Sequence, residues 1–192
     1  MIAAVLLVAA CSKDKKPASQ EGVFERLEFS VDSSLLGEAI SVGGLRLHAP
    51  SGWLPVDSSV MSQLVGVAAR DTSGMQLRPK YAFKPESGGP MMLVSTFPKA
   101  VDLGDRFVPW AGEVARVYRE QRADIRVQEQ WMSLSGVEAL QLYSQSAQLV
   151  HIKIILNAIG VVSLDYTVPA ASWPKEVRAV ESSLGSLRKI YL

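Results

Sequence analysis

Val150-His151-Ile152-Lys153-Ile154 and Val162-Ser163-Leu164-Asp165-Tyr166-Thr167-Val168 alternate apolar and polar side chains with a period of two. Successive side chains of a β-strand point to opposite faces, so each segment reads as a strand with an apolar face and a polar one. Working upstream, Gly136 turns the chain into a longer apolar segment from Val137 to Gln145, and Ile125 to Val127 leads towards Trp131. Four strands in series with short connections predict an antiparallel meander with one face on a core.

Helical spacing flanks the meander. Between Asp105 and Gln121, the residues Phe107, Trp110, Val114, Val117 and Tyr118 form one stripe, while Glu113, Arg116, Arg119 and Glu120 fall mostly outside it. A closing helix is expected from about Ser172, with Pro174 in its first turn and Trp173, Val177, Val180, Leu184 and Leu187 on one side. Nearer the start, Phe24-Glu25-Arg26-Leu27-Glu28-Phe29 and Gly44-Leu45-Arg46-Leu47-His48 read as short strands. Asp57 or Ser58 can cap a helix through about Arg70, with Val60, Leu64, Val67 and Ala68 on one face and Gly66 weakening it. Residues 77–84 and 91–97 suggest a hairpin. Pro79 cannot donate to a ladder, which puts its first strand at an edge. The predicted class is α+β: one antiparallel sheet covered by helices.

Pro50-Ser51-Gly52-Trp53 after a strand, Gly136 opening a strand with Ala139 and Tyr143, and the ending Ser182-Ser183-Leu184-Gly185-Ser186-Leu187-Arg188 together resemble the PsbP-like superfamily over most of residues 40–190. That group includes extrinsic photosystem II proteins, a Ran-binding nuclear protein and many bacterial lipoproteins. The resemblance implies an α/β/α sandwich around an antiparallel sheet. It implies no catalytic residue, because the superfamily shares no catalytic constellation that can be matched here and its functions diverge.

The first residues carry a different signal. Met1-Ile2-Ala3-Ala4-Val5-Leu6-Leu7-Val8-Ala9-Ala10 is apolar or small throughout, and falls well short of the roughly 20 residues a membrane-spanning helix needs. It fits the hydrophobic part of a signal peptide. Val8-Ala9-Ala10-Cys11 resembles a lipobox, which implies removal of residues 1–10, lipidation (diacylglycerol and acyl chains such as palmitate) on Cys11, and anchorage to a membrane of the bacterial cell envelope. Two or more acyl chains hold a protein stably. The usual basic n-region is missing, as a start codon assigned too far downstream would explain. Residues 11–22, rich in charge, Ser, Pro and Gly, read as a tether that reaches about 35 Å when extended. Residues 23–192 are then one globular domain, within the reach of a 192-residue chain that is 48% hydrophobic and 20% charged. Ser12 after the cysteine resembles lipoproteins sorted to the outer membrane, which implies a domain facing the periplasm.

Charge removes one class of partner. The tether takes three of the twenty basic residues and two of the nineteen acidic ones, so the domain is balanced, whereas a nucleic-acid binder shows a basic excess. Chemical motifs are sparse. His48 and His151 are the two histidines, with no Gly-x-Ser-x-Gly elbow and no His-Glu-x-x-His spacing beside them. Glu86, Asp102 and Asp105 sit in loops or at a helix start without calcium-loop spacing, and Gly43-Gly44 and Gly88-Gly89 read as turns rather than phosphate loops. Trp53, Trp110, Trp131 and Trp173 are expected to pack into the core. The expectation is a noncatalytic envelope lipoprotein, without cofactor or metal, that binds a protein partner or assists an envelope assembly. The alternative is a small-molecule or lipid-binding periplasmic module with a pocket between sheet and helix. In either case Cys11 is the one residue assigned a functional role, as the lipidation site.

Overall fold

A computed structural model describes residues 24–69, 76–100 and 103–190. In chain order its elements are β1 (Glu25–Leu27), β2 (Leu36–Val42), β3 (Leu45–Pro50), β4 (Leu54–Pro55), α1 (Ser58–Ala69), β5 (Arg78–Lys84) and β6 (Met91–Thr96). They continue with α2 (Phe107–Glu120), β7 (Val127–Leu134), β8 (Val137–Gln145), β9 (Leu149–Leu156), β10 (Val162–Pro169), α3 (Trp173–Gly185) and β11 (Arg188–Lys189).

Strands β7 to β10 form the antiparallel meander that the period-two segments predict. They occupy the middle of an eight-stranded sheet in the order β1-β7-β8-β9-β10-β6-β5-β4, in which β1 alone pairs in parallel. The 77–84 and 91–97 segments pair as β5 and β6. On its other side, among the described residues, β5 is met only at its far end, where Leu54 and Pro55 pair with Lys84 and Phe83. Pro79 therefore needs no ladder donor on that side, and the register shifts beside it, between Pro79 and Tyr81.

A second sheet, β11-β3-β2, was not expected. Strand β2 carries the mixed run Leu-Gly-Glu-Ala-Ile-Ser-Val, too irregular to show a clean period. The turn read at Gly43-Gly44 is its hairpin to β3, with φ of 57° and 71°. Both signs suit a two-residue turn matched to strand twist. A Cβ at Gly43 would lie 2.7 Å from Val162 Cγ2, so glycine also lets this hairpin seat on the end of β10.

The large sheet is buried on both faces. On one, Met92, Val94, Met132, Ile154, Leu164 and Tyr166 share a core with Leu45 and Leu47 of β3 and with Val180 and Leu184 of α3. On the other, Leu140, Leu142 and Ile155 pack with Phe107, Ala111, Val114 and Tyr118 of α2. This corrects the expectation of a single core face: the positions that alternate as polar, Lys153, Ser163 and Asp165 among them, are buried as well.

Local rules place the helices. Asp57 Oδ1 accepts from the backbone N–H groups of Ser59 and Val60, both at 2.9 Å, and starts α1. The predicted inward stripe of α1 holds only in part, with Val60, Leu64 and Ala68 half-buried and Val67 64% exposed. Helix α2 turns its Phe107, Val114 and Tyr118 inward and its Arg116 and Glu120 outward, as spacing predicts. Helix α3 carries Pro174 in its first turn, and Leu187 is buried just beyond its end. No helix among the described residues is long and apolar enough to cross a membrane.

Candidate functional site

A cavity of about 550 Å³ opens where the β1 segment, the β7–β8 turn and the last turn of α3 meet. Its walls combine apolar side chains, Leu27, Phe29, Leu134 and Leu184, with Ser133, Ser135 and three charged groups, Arg26, Glu28 and Arg188. The β7–β8 connection is two residues long, with φ of 50° at Ser135 and 75° at Gly136. Arg188 is fixed to the end of α3. Its Nη1 donates to Gly185 O at 2.7 Å, Leu187 O at 2.6 Å and Ser135 Oγ at 3.1 Å. Carbonyls at a helix C-terminus lack intrahelical partners and carry partial negative charge, so a guanidinium is well placed there. Arg26 pairs with Glu28 at 2.9 Å, with both side chains in solvent.

Gly185 shapes the same wall. A Cβ there would come within 2.9 Å of Phe29 Cβ and 3.1 Å of Phe29 O. Lack of a side chain lets the segment leaving β1 cross the end of α3.

A second cluster of polar groups lies on the α2 side of the sheet, assembled by strand register. Ser144, His151 and Thr167 stand opposite one another across β8, β9 and β10, and the next row holds Leu142, Lys153 and Asp165. Lys153 Nζ meets Asp165 Oδ1 at 2.6 Å and donates to Ser163 Oγ at 3.1 Å, while Ser163 Oγ donates to Asp165 Oδ2 at 2.8 Å. Lys153 and Asp165 are each 7% exposed. Burial on its own would raise the Asp165 carboxyl. The Lys153 ammonium and the contact with His151 outweigh it and hold the group well below the usual carboxylate range.

His151 continues the network. Its Nε2 lies 3.4 Å from Asp165 Oδ1 and its Nδ1 bonds the Tyr118 hydroxyl. The ring thus bridges the Asp165 carboxylate and the Tyr118 hydroxyl through its two nitrogens. The Tyr118 oxygen also meets Ser144 Oγ at 3.5 Å, its ring stacks on His151, and the Arg122 guanidinium sits 3.9 Å from its centre. Burial raises the Tyr118 phenol, keeping it protonated as a donor. Ser95 Oγ, in the row beyond Asp165 and opposite Ser163, is buried without a hydrogen-bond partner among the described residues.

The residues singled out by sequence are dispersed. Cys11, with the expected signal segment 1–10 and the expected tether 11–22, lies outside the described residues, as do Asp102 and the expected helix end at Arg70. His48 is a backbone anchor in β3: its N–H donates to Ser186 Oγ at 2.9 Å, its carbonyl accepts from Ser183 Oγ at 2.5 Å, and its Nδ1 meets Gly37 O at 3.0 Å. Glu86 is exposed in the β5–β6 turn and Asp105 in the turn before α2. Trp53 is buried and donates to Glu176 Oε2 at 3.3 Å, while Trp110, Trp131 and Trp173 are half-buried against the two cores. His151 does lie beside Ser and a carboxylate. Its serine contact, however, runs through Tyr118, and Ser163 is committed to Asp165 and Lys153. Lys153, Asp165 and Tyr118 were not recognised as a group; the available signal was a Lys and an Asp at polar positions of two neighbouring strands.

No protein-family model and no curated protein matches the chain. Among solved structures, it aligns with the cyanobacterial PsbP protein CyanoP from Synechocystis at 12% identity over 91% of this chain and 98% of that one, with a TM-score of 0.48. It aligns with a Pseudomonas aeruginosa protein of unknown function, described as a putative regulator, at 15% identity over 78% of this chain and 94% of that one, with a TM-score of 0.44. A Bacteroides thetaiotaomicron protein aligns at 14% identity over 80% of this chain and 48% of that one, with a TM-score of 0.40. Nothing about activity or partners follows from alignments this distant.

Proposed function

We propose that this chain is a noncatalytic binding domain of the bacterial envelope, held to a membrane by lipid on Cys11, that takes a small amphiphilic ligand in the cavity between β1 and α3. The cavity is the observation that carries the reading. At about 550 Å³ it falls in the size range of ligand sites, and it mixes apolar walls with a few charged groups. It also adjoins the first described strand, where the tether would enter. The noncatalytic part is supported by the state of the polar cluster, where Lys153, Ser163 and Asp165 are buried and engaged with one another. A PsbP-like α/β/α sandwich, facing the periplasm from the outer membrane, belongs to the same proposal. Helices α2 and α3 on opposite faces of the sheet support the sandwich, and Ser12 after Cys11 supports the location.

Two measurements test it. Intact mass spectrometry of protein taken from its host should find residues 1–10 removed and Cys11 acylated; an unmodified Cys11 thiol would refute the anchor. Fluorescence titration with anilinonaphthalene sulfonate should show saturable binding that Ser133→Trp, which fills the cavity, abolishes while circular dichroism is unchanged. Binding that survives this substitution would place the ligand elsewhere.

A protein partner is the second reading, favoured by exposed Val65 and Val67 on α1. It predicts that a photo-crosslinker at position 67 captures one reproducible envelope protein and that Val65→Thr/Val67→Thr weakens the complex. An unchanged complex would exclude α1 as the contact.

A further inference from the structure

We infer that the cavity beside β1 is an anion site that holds a phosphate ester, free or as a lipid head group, on the guanidinium of Arg188, with the exposed Arg26 at its rim. The inference rests on the reading of that cavity as a ligand site and names the ligand's chemistry.

Arg188 is prepared for this task. Among the described residues its three hydrogen bonds, to Gly185 O, Leu187 O and Ser135 Oγ, all use Nη1, so none of them commits Nη2 or Nε. A guanidinium presents its donors in a planar fork that matches two oxygens of a phosphate. Because the α3 terminus and the β7–β8 turn already hold this fork, little side-chain freedom remains to be lost on binding. An ammonium in its place would lack the geometry to bind both the helix end and a ligand.

Arg26 supplies the second charge from β1. Among the described residues it is tied to Glu28, and the two side chains are 84% and 76% exposed. Exposed pairs of this kind contribute little, so a phosphate can replace Glu28 as its partner at small cost. The charged lining is two cations and one acid, which favours an anion, and Leu27, Phe29, Leu134 and Leu184 provide the apolar wall that the ester's carbon portion needs. Position agrees with this chemistry. Arg26 follows Cys11 by fifteen residues, which span at most about 50 Å when extended. With Cys11 in a membrane, the site stays within that distance of phospholipid head groups, and the tether raises their effective concentration.

The test follows amide NMR shifts of the full chain during titration with glycerol 1-phosphate, with glycerol as the neutral control. Saturable shifts at residues 26–29, 133–136 and 185–188 are expected with the phosphate alone. Arg188→Gln should weaken binding by about tenfold or more, the loss of a charge-assisted contact, and Arg26→Gln, at an exposed position, by about two- to threefold. Glu28→Gln should tighten it a few-fold, a gain that misfolding cannot imitate. If glycerol 1-phosphate moves none of these residues but decyl maltoside does, the anion class is overturned and the ligand site stands. If neither moves them, both readings fall. The source is then separated with the Cys11→Ser chain on phosphatidylcholine vesicles with and without phosphatidylglycerol. Retention that needs phosphatidylglycerol and is lost in Arg188→Gln assigns a lipid head group. Retention on both vesicles that is lost in Arg188→Gln also assigns a lipid head group, whereas no retention on either, with glycerol 1-phosphate still bound, assigns a free phosphate ester.

Discussion

Substituting Asn for Asp165 should destabilise this domain more than its modest change of shape suggests. Asp165 accepts from Lys153 at 2.6 Å and from Ser163 at 2.8 Å, and both ends of the ion pair are 7% exposed. Asparagine keeps the volume and one acceptor but leaves the Lys153 ammonium buried without a counter-charge. Breaking a buried pair in this way costs about 3–5 kcal/mol, a large part of the roughly 5–15 kcal/mol that holds a domain folded. With a urea slope of about 2 kcal/mol per molar, the unfolding midpoint should fall by roughly 2 M. Adding Lys153→Met to Asp165→Asn removes the stranded charge and should recover much of the loss, giving a coupling of about 2 kcal/mol or more in a double-mutant cycle.

Acid sharpens the test. Burial would raise the Asp165 carboxyl, but Lys153 and His151 lower it below its unfolded value. A depressed carboxyl contributes stability above the unfolded pKa of about 3.9 and loses it as pH falls through the folded value. The gap between wild type and Asp165→Asn should therefore be constant above about pH 5 and shrink below about pH 4. Single substitutions that simply add, or a gap indifferent to acid, would show that Lys153 and Asp165 do not act as a buried pair.

Three further outcomes can be checked by the same urea unfolding. Ser95→Ala should stabilise the domain by up to about 1 kcal/mol, since Ser95 Oγ is buried with no partner among the described residues to compensate its desolvation; a clear loss would mean that the hydroxyl is satisfied. Tyr118→Phe removes the donor to His151 and the contact with Ser144 and should cost about 1–3 kcal/mol, while a neutral result would make the link incidental. Gly185→Ala, whose Cβ meets Phe29 at 2.9 Å, should cost about 1–3 kcal/mol and displace the β1 segment from α3. Unchanged amide shifts at Phe29 would contradict that close approach.

Periodicity carried much of the fold. The alternation at 150–154 and 162–168 placed β9 and β10, the three-and-four spacing placed α2 and α3, and Asp57 marked the start of α1. These signals survive because each depends on neighbours in sequence. The second sheet did not show itself, because β2 has no clean alternation and is completed by β11, far away in the chain. The burial of Lys153 and Asp165 was equally hidden. Alternation shows that two faces differ, and α2 decides that the polar face is also covered.

The candidate sites divide in the same way. The resemblance of Val8-Ala9-Ala10-Cys11 to a lipobox is a local pattern, readable from adjacent residues. The cavity joins Arg26, Ser135 and Arg188, and the polar cluster joins Tyr118, His151 and Asp165, from strands and helices that sequence alone cannot set in register. Local propensity and period are enough to mark which segments are strands and helices and which of their side chains are apolar. Which polar groups meet and which are enclosed depends on pairing register and helix docking, and these arise from the packing of the whole chain.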